Sequence, residues 1–116
     1  MTTYRTFDDT VIDYFTEHPE EIDDFLTEIF EDYAEDGDSA VLLSSLRIIA
    51  RVEGVSNIAE RVRMSRQGVQ KALSAKGNPR FDSINAIIGA MGYRLMPQRV
   101  TGVTAIAEPR AEYKVG

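Results

Sequence analysis

Apolar residues recur every three or four positions through most of this chain, and a glycine follows each of the longer runs. The run before Gly37 consists of Ile22, Phe25, Leu26, Ile29, Phe30 and Tyr33. The run before Gly54 consists of Leu42, Leu43, Leu46, Ile49 and Ala50. This spacing aligns apolar side chains on one face of an α-helix, and glycine commonly follows the end of a helix. The sequence therefore predicts an all-α fold.

The same pattern predicts five or six helices and one short strand. The helices are expected over residues 10–16, 19–35, 39–53, 57–62, 66–75 and 83–91, with Pro19 in the first turn of the second. Short polar side chains that can accept a hydrogen bond from the first turn are the predicted N-caps: Asp8 or Asp9, Asp38 or Ser39, Ser56, Ser65 and Asp82. The stretch 93–96 alternates weakly in polarity and is predicted to be the strand.

Composition excludes several classes of site. The chain has 116 residues, enough for one core, with no cysteine and a single histidine, His18. Disulfides, thiolate zinc sites and thiol nucleophiles are therefore excluded, and no Ser-His-Asp triad or glycine-rich phosphate loop is recognisable. We expect no cofactor, no bound metal and no enzymatic activity. No apolar run approaches the length of a membrane span, and the N-terminus lacks the pattern of a signal peptide, so we expect a cytoplasmic protein without membrane contact.

The net charge of −6 conceals two regions of opposite sign. Residues 1–38 contain 14 acidic side chains and one arginine, Arg5, and carry −13. Residues 39–100 contain ten basic and three acidic side chains and carry +7, while residues 101–116 are balanced. This division favours a basic module that binds phosphate beside an acidic module that binds a basic partner. The alternative is a single fold whose two solvated faces attract each other.

The segment from Ser56 to Leu73 has the layout of a helix-turn-helix. Two short helices can cross steeply where the contact residue on the first is small, and Ala59 occupies that position. The second helix would present a polar N-terminal end beginning at Ser65, with Arg66 and Gln67 suited to guanine and adenine in a major groove. The predicted DNA-binding residues are the polar and basic side chains of these helices and of the turn that follows: Ser56, Asn57, Arg63, Ser65, Arg66, Gln67, Gln70, Lys71, Lys76, Asn78 and Arg80.

Several short motifs between residues 10 and 96 resemble one known family. They are 17–22 (EHPEEI), 36–38 (DGD), 46–50 (LRIIA), 54–56 (GVS), 64–67 (MSRQ), 71–74 (KALS), 77–80 (GNPR) and 90–95 (AMGYRL), and the run from Ser65 to Pro79 is the most specific. In these residues the chain is similar to HigA-like addiction-module antidotes, within the Cro/CI-type helix-turn-helix group. The resemblance implies a small dimeric antitoxin that represses its own operator, a DNA palindrome, and neutralises a RelE/HigB-like toxin, which is a ribosome-dependent endoribonuclease that cleaves mRNA.

One position departs from the helix-turn-helix pattern. The turn position that usually holds glycine, four residues after Ala59, holds Arg63. A left-handed backbone costs a non-glycine residue about 1 kcal/mol. Either the turn takes another shape, or Arg63 accepts this strain. A phosphate contact would be a separate reason for an arginine at this position.

The acidic helix over 19–35 carries both an apolar stripe and many carboxylates. The stripe completes the core, and the carboxylates either are merely solvated or form a docking face for a basic toxin. The predicted toxin-binding residues are Glu20, Glu21, Asp24, Glu28 and Glu31. The sequence is also compatible with two alternatives to the antitoxin: a stand-alone Cro/CI-like repressor, and a pure inhibitor that no longer reads DNA.

The domain organisation and the assembly follow from these elements. Residues 1–38 are predicted to be an acidic N-terminal helical extension, residues 39–97 the DNA-binding domain and residues 98–116 a flexible tail. Paired half-sites require a two-fold dimer. The predicted dimer interface is the C-terminal strand, whose unpaired backbone groups could pair with a second copy: Tyr93, Arg94, Leu95 and Met96.

Overall fold

The structure is a computed structural model that describes residues 6–74 and 78–100. The helices in these ranges are α1 (Phe7–Glu17), α2 (Ile22–Asp36), α3 (Ser39–Glu53), α4 (Val55–Val62), α5 (Arg66–Ala72) and α6 (Phe81–Ala90). A 3₁₀ turn, Pro19–Glu21, connects α1 to α2. The all-α prediction is confirmed. None of the helices in the described ranges has the length and apolarity needed to cross a membrane.

Helix α3 lies at the centre of the packing. It contacts α1, α2 and α4, and α4 in turn packs against α5 and α6. The largest fully buried side chains are Leu46, Ile49, Ile58, Val69, Leu73 and Ile87. They come from α3, α4 and α6, and from α5 with the residue after it, so one core joins these helices. The apolar stripe of α2 joins the same core through Ile22, Leu26 and Ile29.

The helix starts confirm some predicted caps and correct others. Asp38 caps α3 by accepting a hydrogen bond from the Val41 backbone N–H at 3.2 Å, so Asp38 rather than Ser39 has this role. Helix α1 is capped by Thr6, not by Asp8 or Asp9. Asp9 instead completes a capping box, in which it accepts from the Thr6 N–H while Thr6 accepts from the Asp9 N–H.

Two predicted caps are wrong for local reasons. Gly54, with φ of 101°, lets α4 begin at Val55 directly after α3, so Ser56 lies inside the first turn instead of capping it. The positive φ of Gly54 would strain any residue with a Cβ, and that Cβ would also lie 2.9 Å from Asn57 Nδ2, so glycine is favoured at this junction. Helix α6 begins at Phe81, which places Asp82 within its first turn.

Other boundaries also differ from the prediction. Pro19 begins the separate 3₁₀ turn, and the second α-helix starts only at Ile22. Helix α5 ends at Ala72, three residues before the predicted end.

The predicted strand at 93–96 is wrong for this chain, because residues 93–100 have no regular secondary structure and the described ranges offer no strand to pair with. This segment is instead fixed by Tyr93. Its backbone N–H donates to Ile88 O at 3.1 Å, and its hydroxyl donates to Asp23 Oδ1 on α2. Burial, and then the hydrogen bond to Asp23, raise the pKa of Tyr93 to about 12. The predicted tail lies outside the described residues from position 101 onward.

Candidate nucleic-acid interface

Helices α4 and α5 pack through small and branched apolar side chains. Ile58 and Ala59 of α4 are buried, as are Val69 of α5 and Leu73 just after it. The burial of Ala59 is compatible with the contact position that the sequence predicts for it. Because the apolar sides of both helices are used in this contact, their polar side chains remain on the outside.

The turn between α4 and α5 resolves the question raised by Arg63. Arg63 has φ of 58° and ψ of 42°, so it accepts the left-handed conformation. Its N–H donates to Glu60 O at 3.4 Å, and the Met64 N–H donates to Ala59 O at 3.0 Å. These two bonds form a Schellman motif, which satisfies carbonyls that the end of α4 would otherwise leave unpaired. The strain of about 1–2 kcal/mol is thus offset in part by local hydrogen bonding.

The start of α5 is fixed by a cap that requires a glycine nearby. Ser65 Oγ accepts a hydrogen bond from the Gly68 N–H at 2.8 Å, which confirms Ser65 as the cap. A Cβ on residue 68 would lie 3.0 Å from that oxygen, so a larger residue would press on the cap. The capped end of α5 thereby holds Arg66 and Gln67 in a defined position on the surface.

The described DNA-binding candidates are all exposed, and some of them share one cleft. The exposed side chains are Ser56, Asn57, Arg63, Ser65, Arg66, Gln67, Gln70, Lys71, Asn78 and Arg80. A cleft of about 290 Å³ between the start of α4 and the outer side of α5 is lined by Ser56, Asn57, Arg66 and Gln70 among them. Gln67, Lys71 and Arg63 lie outside its lining, and Lys76 lies outside the described residues.

The cleft contains one basic residue that sequence reasoning missed. Arg51, near the end of α3, lines it together with Arg66. Arg51 Nη2 also lies 3.3 Å from Asp9 Oδ1 of α1, in a partly exposed ion pair. The available signal was its position three residues before Gly54, which places it beside the start of α4.

Two other arginines donate hydrogen bonds to backbone carbonyl oxygens within the fold. Arg61 Nη1 donates to Ala90 O, the last residue of α6, at 2.7 Å. Arg47 Nη1 donates to Leu73 O, just after the end of α5, at 3.4 Å. Arginine is suited to helix C-termini, where carbonyls lack intrahelical partners. The basic charge counted in the sequence is therefore only partly available to a nucleic acid.

Arg80 and Asn78 remain exposed beyond this cleft. Arg80 Nη2 lies 3.5 Å from Asp82 Oδ2, and both side chains are highly exposed, so the pair contributes little stability. Arg80 is therefore free to exchange its carboxylate partner for a phosphate. The structure does not bring Arg80 into the cleft that contains Arg66.

The predicted toxin-binding residues are all exposed, on α2 and the turn before it. Glu20 and Glu21 lie in the 3₁₀ turn, and Asp24, Glu28 and Glu31 lie on α2. Glu21 accepts from the Tyr14 hydroxyl through both carboxylate oxygens, at 2.7 and 2.8 Å, and this hydrogen bond raises the pKa of Tyr14.

Within the described ranges one group of side chains has the proximity that a metal ion requires. Ligand atoms of His18, Glu20 and Glu21 lie within 4.8 Å of one another. Contacts within the protein account for this grouping, since Tyr14 binds Glu21, and His18 Nδ1 lies 3.4 Å from Glu20 Oε2. Their proximity is therefore explained without a bound metal ion.

Fold and surface together define a small helical protein with an exposed polar and basic helix pair and a separate, strongly acidic region. The profile of a family described as probable addiction module antidote proteins matches residues 3–99. The chain is 35% identical over 80 residues to an uncharacterized protein of Haemophilus influenzae, and the match covers 69% of this chain and 78% of that protein. No solved structure matches the chain.

The chain belongs to the addiction module antidote family, which confirms the predicted resemblance at that level. An antidote acts by binding, so the family implies a toxin as partner in general and a regulatory protein rather than an enzyme.

Proposed function

We propose that this protein is the antitoxin of a type II toxin–antitoxin module, of HigA-like type. It represses its own operator through a Cro/CI-type helix-turn-helix formed by α4 and α5, and it neutralises a RelE/HigB-like mRNA-cleaving toxin. The protein acts as a homodimer on a palindromic operator, because a two-fold dimer presents paired recognition helices to paired half-sites.

The DNA-binding part of the proposed function is supported by the cleft beside the capped end of α5. Arg66 and Gln70 of α5 line it with Ser56 and Asn57 of α4, while Gln67 is exposed one residue after Arg66. Arginine and glutamine read guanine and adenine edges, and serine and asparagine suit phosphate oxygens. Side chains of the types that can read bases and of the types that can contact the DNA backbone therefore line one cleft, which supports operator recognition by α4 and α5.

DNA binding is tested on the upstream region of the gene itself. Arg66→Ala should weaken operator binding by about 1–3 kcal/mol and relax the preference over a scrambled duplex. Arg80→Ala is the contrasting variant, because loss of a phosphate contact should weaken both duplexes alike and reduce the salt dependence. Fluorescence anisotropy on both duplexes at two salt concentrations measures these effects, and thermal melts confirm folding. Unchanged operator preference in the Arg66→Ala variant would show that α5 does not read bases.

The acidic region supports the toxin-binding part. Residues 6–38 contain 14 acidic side chains and no lysine or arginine. A toxin that cleaves mRNA on the ribosome needs a basic surface for its RNA, and an acidic surface of this density is complementary to it. Such complementarity mainly accelerates encounter.

Toxin binding is tested with two single charge reversals. Glu28→Lys on α2 and Glu60→Lys on α4 each replace an exposed acid and change the net charge equally. Glu28→Lys should slow toxin association several-fold at low salt, and the difference should shrink at high salt because exposed charges are screened. Glu60→Lys should have a smaller effect. Stopped-flow association kinetics measure both rates, and equal rates for the two variants would contradict a docking site on α2.

A stand-alone Cro/CI-like repressor is the second candidate, and the burial of the α2 stripe favours it. Ile22, Leu26 and Ile29 are buried within the chain, so α2 has an intramolecular reason to be amphipathic without a toxin. Operator binding with no toxin encoded beside the gene would favour this candidate.

A further inference from the structure

A second groove of the described structure lies away from the α4–α5 cleft and is larger than it. It has a volume of about 1020 Å³ and runs between α2 and the segment 93–100, with the end of α6 at its floor. Its floor and walls are largely apolar and include Leu26, Phe30, Ile88 and Leu95. Tyr33, Met96 and Val100 line it while 39%, 65% and 62% exposed, respectively. Exposed apolar side chains gathered at one groove mark an interaction surface.

The charged residues of this groove are of opposite sign on its two walls. Glu31 lies on the α2 wall, and Arg94 and Arg99 lie on the wall formed by 93–100. None of these three side chains forms a salt bridge or hydrogen bond with a described residue. Asp23, the other acid on the α2 wall, is occupied by the Tyr93 hydroxyl. The groove thus combines an apolar centre with an acidic edge and a basic edge, both unmatched within the described chain.

We propose that this groove binds a second copy of the chain, so that two copies pack groove to groove about a two-fold axis. A two-fold interface places the same patch on both subunits and must therefore be complementary to itself. A patch with one acidic and one basic edge meets this condition, because a two-fold rotation sets each basic edge against the other copy's acidic edge. A uniformly basic partner would attract Glu31 but meet repulsion from Arg94 and Arg99.

In this arrangement Met96 and Val100 of each copy enter the groove of the other, and Arg94 and Arg99 of each copy face Glu31 of the other. The segment 93–96 that the sequence singled out for dimerisation takes part through its side chains rather than as a paired strand. The inference deepens the dimer that the proposed function requires, and it adds α2 as the surface that receives the second copy. Oligomeric state without DNA or toxin tests it separately from operator binding.

The test uses two full-length variants that reverse one edge each. Arg94→Glu/Arg99→Glu makes both edges acidic, and Glu31→Lys makes both edges basic. Each variant alone should dissociate at least about tenfold more readily than the wild-type dimer in sedimentation equilibrium, because like charges then meet twice per dimer. An equimolar mixture should recover wild-type dimerisation, since each acidic edge again faces a basic one. Asp32→Lys, which makes the same charge change as Glu31→Lys at the next residue of α2 but outside the groove lining, is the matched control and should remain dimeric.

Each outcome decides the proposal. Recovery in the mixture requires contact between copies and supports it. A wild-type protein that stays monomeric, variants that stay dimeric, or failure of the mixture to recover would each overturn it. All three altered side chains are exposed, so the variants should fold normally. Thermal melts check that misfolding is not the cause of dissociation. If the wild-type protein is monomeric and the Arg94→Glu/Arg99→Glu variant no longer binds the toxin, the groove is instead a binding site for the toxin.

Discussion

The acidic region and the basic region of this molecule use their charges in different ways. Residues 6–38 contain no lysine or arginine, and the one salt bridge that reaches them from the rest of the described chain comes from Arg51 of α3. In the basic region, Arg47 and Arg61 bind carbonyl oxygens at helix ends, whereas Arg63 and Arg66 remain exposed. The net charge of the acidic region therefore reflects its exposed charge, whereas the net charge of the basic region overestimates the charge that is available to a partner.

The apolar side chains, in contrast, unite the two regions. Helices α1 and α2 pack on α3, and α3 also contacts α4. Charge thus divides the chain near residue 38, while the core runs across that point. A domain boundary at residue 38 would mean that the regions before and after it fold independently. This prediction is tested by the following substitution.

The largest effect is expected from Ile49→Ala in α3. Ile49 is fully buried, so its truncation should lower the free energy of unfolding by about 2–5 kcal/mol. If the core is shared, both regions should unfold in one transition at a lower denaturant concentration, measured by circular dichroism and tyrosine fluorescence. Val41→Ala on the same helix is the control, since Val41 is 55% exposed and its loss should change stability by no more than about 0.5 kcal/mol. Two separate transitions in the Ile49→Ala variant would establish residue 38 as a domain boundary.

A smaller effect, of opposite sign, is expected at Arg63. Arg63→Gly removes a strain of about 1–2 kcal/mol, because glycine adopts the left-handed conformation without the Cβ penalty. Glycine's greater freedom in the unfolded chain cancels about 0.4–1 kcal/mol of this gain, so the free energy of unfolding should rise by up to about 1.5 kcal/mol. Chemical denaturation measures the change. Arg63→Ala is the matched variant, because it removes the same charge and keeps the strain.

The same pair of variants separates stability from DNA binding. If Arg63 contacts phosphate, both variants should weaken operator binding equally, although only the glycine variant is stabilised. Equal stability of the two variants would contradict the assignment of strain to this turn. Unchanged operator affinity in both would remove Arg63 from the interface.

The sequence predicts those features that depend on local chemistry. The stripes before Gly37 and Gly54, the small residue Ala59 and the cap Ser65 all follow from spacing and from the hydrogen-bonding capacity of single residues. The antidote resemblance likewise rests on contiguous motifs, and the family match confirms it.

The features that the sequence does not reveal depend on distant partners or on competition between neighbours. Arg61 and Ala90 are 29 residues apart, so nothing local indicates that this arginine binds a carbonyl. Ser56 is a plausible cap by type, but the backbone of Gly54 starts the helix before it. The prediction of a strand at 93–96 is wrong because a strand must pair with another strand, which the described chain lacks.

The smallest effect concerns the hydrogen bond that joins the two regions, from the Tyr93 hydroxyl to Asp23 of α2. The pKa of Tyr93 is raised from its ordinary 10.0 to about 12, so the folded state favours the neutral phenol. This contribution to stability is fully present below pH 10 and is lost as the pH rises toward 12. Tyr93→Phe should therefore lower the guanidinium midpoint slightly at pH 8, and the gap to wild type should narrow at pH 11. Tyr33→Phe, which removes a hydroxyl without a hydrogen-bond partner in the described chain, is the control and should leave both midpoints unchanged. A gap that stays constant with pH would mean that Tyr93 holds the C-terminal segment to α2 through its ring alone.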